Sequence, residues 1–365
     1  MGEDIKTKPS FWHTRGAHGG IIKLEELGRL LGGEIKGDPA LEIKGLRDVE
    51  RLSPEQPLED GGLYFIESKA VLKRHPLAPN SGIVLTTAEL APQFPRAVVV
   101  SGDARLAFFK VLSHFDKAPK FAPGVGPKAL VDPSARIDPA ASVLDGAVVM
   151  ARAVVGPACV IYPGAVLEPD AVIGEGTVIR SNVVIGHACV IGKRCIIHSA
   201  TVIGADGFGF YDRPGARHKV PHIGNVVIAD DVEIGASCTV DRATIESTTI
   251  GQFTKMDDQV HVGHNCKVGR FVYIVGNSAI GGSVIIEDGA MISGMVIVKD
   301  HLKISAGSIV MGMSGVAQDT EPKQHYFGIP ARNAREMHKM NAALAKLPEL
   351  LVKFRELEAK TTVGQ

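Results

Sequence analysis

The chain is predicted to be mainly β, a prism-shaped parallel solenoid, on three observations: a period of six, an aliphatic residue at each repeat, and frequent glycine after it. Aliphatic side chains fall at Val131, Ile137, Val143, Val149, Val155, Ile161, Leu167, Ile173, Ile179, Ile185, Ile191, Ile197 and Ile203. The period resumes at Ile228, Ile234 and Val240 and slips by four residues. It then runs through Ile250, Met256, Val262, Val268, Ile274, Ile280, Ile286, Ile292, Val298, Ile304, Val310 and Val316. Six fits neither the 3.6-residue turn of an α-helix nor the alternation of a lone strand. It fits a triangular coil of three six-residue faces, with each inward aliphatic stacked on its equivalent one coil away. About ten such coils, spaced at roughly 4.8 Å, make a prism about 45–50 Å long.

The chain holds 41 glycines and a single Trp, a balance that implies many tight turns. Glycine often follows the aliphatic residue, as at Gly174, Gly186, Gly192, Gly263 and Gly281, where the chain turns and a Cβ hinders. Coils of this kind resemble the left-handed parallel β-helix family, an exception to the right-handed crossover rule. The hand comes from that resemblance and not from the spacing.

The other elements follow from where the period fails. Residues 1–20 read as a disordered tail. Residues 21–120 mix an amphipathic helix, with Leu24, Leu27, Leu30 and Leu31, and short apolar runs such as GIVLTT and AVVVSG, the pattern of a small α/β domain. A Pro-rich joint at 121–133 leads into the prism, assigned to 121–325. Residues 204–225 skip the register and must leave the prism as a loop, where function tends to sit. In 326–365, Met337, Met340, Leu344, Leu347, Leu351, Phe354 and Leu357 follow helical spacing, and Pro348 is expected to begin a second helix. Residues 331–365 carry seven Lys or Arg against four Asp or Glu.

Forty basic residues balance forty acidic ones, so no global charge favours nucleic acid or an anionic membrane. Five cysteines without C-x-x-C spacing argue against a disulfide framework and a zinc ribbon, and for buried thiols in a reducing compartment. The N-terminal stretch lacks the apolar core of a secretory signal, and no run of 18 apolar residues occurs. The chain is therefore expected to be cytoplasmic, without a membrane span.

A prism is inert, so the chemistry must come from polar residues at its corners. His264 and His301 lie 37 residues apart, two coils plus one residue, which places both near one corner. An imidazole of near-neutral pKa can take a proton from an attacking amine and hand it to the leaving group. His264 is the better candidate, between Gly263 and Asn265 and after the acidic pair Asp257 and Asp258.

The segments GADGFGF, KVPHIGNVVIADDVEIGASCTVDRA, HVGHN, GGS and GIPAR resemble the UDP-3-O-acylglucosamine N-acyltransferases of lipid A synthesis in Gram-negative bacteria. The resemblance implies a homotrimer with active sites between neighbouring prisms. His264 would be the general base toward the sugar amine and Gly282 the backbone N–H donor to the oxyanion. Asp257 would position the sugar or orient the base, with Asp258, His261 and Asn265 beside the substrate. His301 would meet the phosphopantetheine of an acyl carrier protein, and Phe208 and Lys219 of the loop would contact substrate. No bound cofactor or metal is implied, since the phosphopantetheine arrives with the donor. The family's N-terminal domain grips uracil, with Phe65 as the aromatic of its clamp. The chain departs from the family in lacking the Asn and Tyr that usually follow that aromatic, in having Asp258 for Asn, and in placing His261 at a usually uncharged position. Alternatives are a sugar O-acyltransferase or acetyltransferase, or a non-catalytic paralogue that binds sugar nucleotide. The γ-type carbonic anhydrases share the prism, but their zinc site needs a second histidine on the coil of His301, which is missing.

Overall fold

The computed structural model describes residues 20–49, 58–74, 82–100, 102–116 and 119–362. The expected tail lies outside the described residues except for Gly20. The chain divides into two compact units after Phe121.

The first unit is an α/β layer. Its sheet runs in the order 34–36, 97–100, 83–87, 62–66, 45–47, parallel except for the antiparallel edge strand Glu34–Lys36. The inner strands are continuous apolar runs because both faces are covered, and Ile83, Val84 and Leu85 are all buried. Helix α1 (Leu24–Leu31) buries Leu24 and Leu27, but Leu30 faces out. Helix α2 spans Lys69–Arg74. Helix α3 (Ala104–Phe115) is capped by the Asp103 carboxylate, which accepts the N–H groups of Arg105 and Leu106 at 3.0 Å each, satisfying donors that the first turn leaves open.

The second unit is a parallel β-helix of hexapeptide coils. Its three faces are sheets of nine, ten and twelve strands, the last including a closing antiparallel pair, His325–Phe327 with Arg332–Asn333. Register reports the insertions directly. Val160 pairs with Val178, 18 residues on, whereas Val202 pairs with Thr239, 37 on. Thr239 then pairs with His261, 22 on, and His261 with Ala279 restores 18. The first break is the loop between Val202–Ala205 and Asn225–Ile228, which carries an antiparallel hairpin, Phe210–Arg213 with Ala216–Lys219.

The predicted aliphatics line the core, Ile161 to Ile203 being essentially inaccessible. A second inward slot lies two residues before each, filled by small side chains such as Ala165, Ala171, Thr177 and Thr201. All five cysteines occupy this slot and are free and buried. Burial disfavours their thiolates and pushes the Cys266 pKa up to about 12.

The role of the glycines is corrected in one respect. The left-handed turn residue is not the glycine after the aliphatic but the residue two further on, where Asp170, Asn182, Ala188 and Arg194 have φ between 53° and 63°. The glycine is needed instead for close stacking of coils: a Cβ at Gly174 would lie 2.6 Å from the carbonyl of Gly192.

The C-terminal expectation also changes. Helix α4 is continuous over Ala334–Thr362, with Pro348 inside it rather than starting a second helix. A proline there removes the N–H that would meet the Leu344 carbonyl, and Leu344 is exposed, so water can take that place. Met340, Leu344, Leu347, Leu351 and Phe354 are exposed along α4. Among the described residues no helix is long and apolar enough to cross a membrane.

Candidate active site

The catalytic candidates are assembled by repetition of one corner. Each coil turns after the strand of the ten-stranded face, and successive turns stack Arg242, His264, Gly282 and Asp300 at equivalent positions. The turn ladder is closed by Ser283 N–H donating to His264 O at 2.8 Å and His301 N–H donating to Gly282 O at 2.9 Å. His264 and His301 therefore share a corner, two coils apart.

His264 is half-buried, and its imidazole lies against Gly282. A Cβ on Gly282 would come 2.8 Å from both Cε1 and Nε2 of the ring, so only glycine lets the ring pass. The Gly282 N–H donates to no group among the described residues. Burial, then the neighbouring His222 and His301, pull the His264 pKa below the ordinary 6.5, opposed by Asp300. The ring is thereby biased toward the neutral form that can accept a proton.

Asn265 orients this ring. Its Oδ1 accepts the Thr244 N–H at 2.8 Å, which turns Nδ2 toward His264 Nδ1 at 2.9 Å. An amide nitrogen only donates, so Nδ1 accepts and the proton of the neutral ring sits on Nε2. The four-residue slip at 241–246 supplies Thr244 for this contact.

The insertion roots are riveted by Arg242, which is almost fully buried. Its guanidinium donates to Gly204 O at 2.8 Å, Gly224 O at 3.1 Å and His187 Nε2 at 2.6 Å, holding the loop where it leaves and re-enters the prism. Lys219 is held by an ion pair with Asp206, which keeps the Asp206 carboxyl below the usual range. Phe208 is 85% exposed and stacks edge-on against Phe210. His261 points outward, with Nδ1 2.8 Å from Thr239 Oγ1 and Nε2 3.8 Å from Asp241 Oδ2. His301 is exposed, 3.9 Å from the Asp300 carboxylate.

Asp257 and Asp258 lie on a different corner, the turn after Lys255–Met256 on the twelve-stranded face. Their carboxylates are taken up by backbone: Asp257 accepts the N–H groups of Asp258 at 2.8 Å and Gly276 at 3.0 Å, and Asp258 accepts Ala236 N–H at 2.6 Å. Within one chain, orientation of His264 thus falls to Asn265 and not to Asp257, because the two carboxylates close the neighbouring turn. Phe65 belongs to the first unit. There it stacks on Phe108, ring centroids 4.4 Å apart, and lines a cavity of about 640 Å³ with Leu46, Glu67, Arg105 and Leu112.

Sequence reasoning missed His222, whose ring stands edge-to-face on His264 at 5.3 Å. The only signal available was its position in the loop, with no spacing to tie it to His264.

The bacterial transferase hexapeptide model (six repeats) matches residues 170–205. The chain is 38% identical over 338 residues to the UDP-3-O-acylglucosamine N-acyltransferase of Pseudomonas aeruginosa (strain LESB58), covering 92% of this chain and 94% of that protein. The chain belongs to the UDP-3-O-acylglucosamine N-acyltransferase family. It is therefore an acyltransferase. A second relative of the same name, from Syntrophobacter fumaroxidans (strain DSM 10017 / MPOB), is 47% identical over 250 residues, 67% of each chain. Among solved structures, a Francisella novicida UDP-N-acetylglucosamine acyltransferase is 24% identical with a TM-score of 0.45, over 60% of this chain and 73% of that one.

Proposed function

We propose that the protein transfers a 3-hydroxyacyl group from the phosphopantetheine thioester of an acyl carrier protein to the 2-amino group of a UDP-3-O-acylglucosamine, with His264 as base. The observation that carries the reading is the half-buried His264 imidazole, biased toward neutrality, set against Gly282 and its free N–H. The amine attacks the thioester carbonyl as His264 takes its proton, Gly282 N–H receives the oxyanion, and the proton leaves with the thiol. In the resting protein the neutral ring carries its proton on Nε2. The base-competent tautomer has the proton on Nδ1 and the lone pair on Nε2. It arises when the ring exchanges its Nε2 proton for one on Nδ1 and turns Nδ1–H away from the Asn265 amide, whose Oδ1 keeps the Thr244 N–H.

The remaining groups take supporting parts. His301 receives the phosphopantetheine arm, Phe208 and Lys219 border the acceptor, and the Phe65 cavity takes the nucleobase. A homotrimer would set one copy's Asp257 and Asp258 against its neighbour's His264, which fits the two corners being separate within a chain. His261, on the strand that leads into the His264 turn, borders the substrate from the same chain as the base. The carrier docks on the basic C-terminal end, where Lys323, His325, Arg335 and Lys339 surround a cleft of about 670 Å³. The test is incubation with acyl carrier thioester and UDP-3-O-acylglucosamine, followed by mass detection of the doubly acylated product. Absence of product with the native protein overturns the function; a fully active His264→Ala variant overturns only the mechanism.

A further inference from the structure

The insertion brings a second imidazole to the catalytic corner, and its hydrogen bonding is incomplete. His222 is buried, 6% exposed, with Nδ1 3.0 Å from Val220 O. A carbonyl only accepts, so Nδ1 carries the proton and Nε2 a bare lone pair. That Nε2 is the one buried side-chain nitrogen or oxygen without a hydrogen-bond partner among the described residues. Folded proteins seldom leave such an atom unpaired, and an exception asks for an explanation. Glycine lies against that nitrogen: a Cβ at Gly207 would lie 2.8 Å from His222 Nε2 and 2.6 Å from His264 Cβ. The charged and titratable groups facing His222 are Asp206, Asp241 and His264. Asp206 is held by Lys219 and Asp241 faces His261.

We propose that His222 Nε2 accepts a hydrogen bond from the 2-amino group of the acceptor sugar, reached by a small shift of the Gly207–Gly209 strap. The inference rests on His264 being the base. A primary amine has two N–H bonds and one lone pair, and the lone pair must point at the acyl carbon. Two imidazoles on one side fix both N–H bonds. His264 removes one proton as the N–C bond forms and passes it to the sulfur as the C–S bond breaks. His222 holds the other N–H, which stays in the amide product. A hydroxyl has a single O–H and would leave His222 unpaired, so the arrangement favours nitrogen over oxygen as nucleophile.

The test pairs His222→Gln with His222→Met, side chains of one length with and without a strong acceptor. The Met variant is expected to lose kcat by about tenfold or more with little change in KM, and the Gln variant to stay within about threefold of native. Without ligand the Met and Gln variants should melt alike, since neither keeps the ring N–H that donates to Val220 O, while their kcat values differ. A ring needed only for structure would lower melting temperature and rate together in both variants. That result, or a Met variant with native kcat, overturns the inference. Loss of activity in His264→Ala beside native kcat in His222→Met overturns it alone, whereas a fully active His264→Ala overturns the base reading as well.

Discussion

Two stretches of the prism have the same interior and different exteriors. From 148 to 191 the residue before each inward aliphatic is Val148, Val154, Val160, Val166, Val172, Val178, Val184 and Val190, outward-facing and half-buried. From 255 to 304 the same position reads Lys255, His261, Lys267, Tyr273, Ala279, Ile285, Met291, Ile297 and Lys303. Inward, both hold Val, Ile, Leu or Met with almost no exposure. The corners diverge too. The first stretch stacks the bidentate pair Arg152 and Asp170, at 2.7 Å through both nitrogens, whereas the second stacks His264 over Gly282. The inner face therefore makes the fold and is interchangeable along the axis. Chemistry depends on what a few outer corners carry.

The largest expected effect tests that division. His264→Ala should lower kcat by about 10²–10⁴-fold and leave thermal melting near native; a parallel loss of melting temperature would show that the corner is structural as well. Next, Gly282→Ala and Gly174→Ala place a Cβ against different neighbours. The first meets the His264 ring and should cost about 10²-fold in kcat. The second meets the Gly192 carbonyl and should lower melting temperature with activity intact when folded; the reverse assignment would break the comparison.

Core truncation should ignore the difference between the stretches. Ile185→Ala and Ile286→Ala, both buried, should each cost about 2–5 kcal/mol by denaturant unfolding. A smaller effect is electrostatic. Because the neutral ring is the base and its pKa is lowered, the acid limb of kcat/KM should fall below pH 6.5. Asp300 raises the His264 pKa, so Asp300→Asn should move that limb to still lower pH. Least affected should be Arg152→Ala, whose exposed pair with Asp170 is screened by solvent; neither rate nor melting should move measurably.

Much of this was legible in one dimension because a β-helix repeats at short range. Period, inward set and insertion positions follow from residue spacing, and a 37-residue separation places His264 and His301 on one corner. The same logic failed where contacts do not follow the coil. Asp257 is seven residues before His264 and yet closes another turn, since seven residues carry the chain around a corner. Asn265 acquires its role from Thr244, a partner delivered by the four-residue slip, and Pro348 lies within α4 although local rules place it at a start.

The sequence by itself determined the solenoid, because every inward position must be apolar at a fixed interval for the coils to bury a common core. It also marked His264 and Gly282, whose one-coil spacing is fixed by the same register. Only the tertiary structure decided how the ring of His264 is held. Asn265 turns because Thr244 N–H takes its oxygen, and His222 arrives from a loop outside the repeat. Contacts across an insertion depend on where the chain re-enters, and Arg242, buried between Gly204 and Gly224, sets that point in three dimensions.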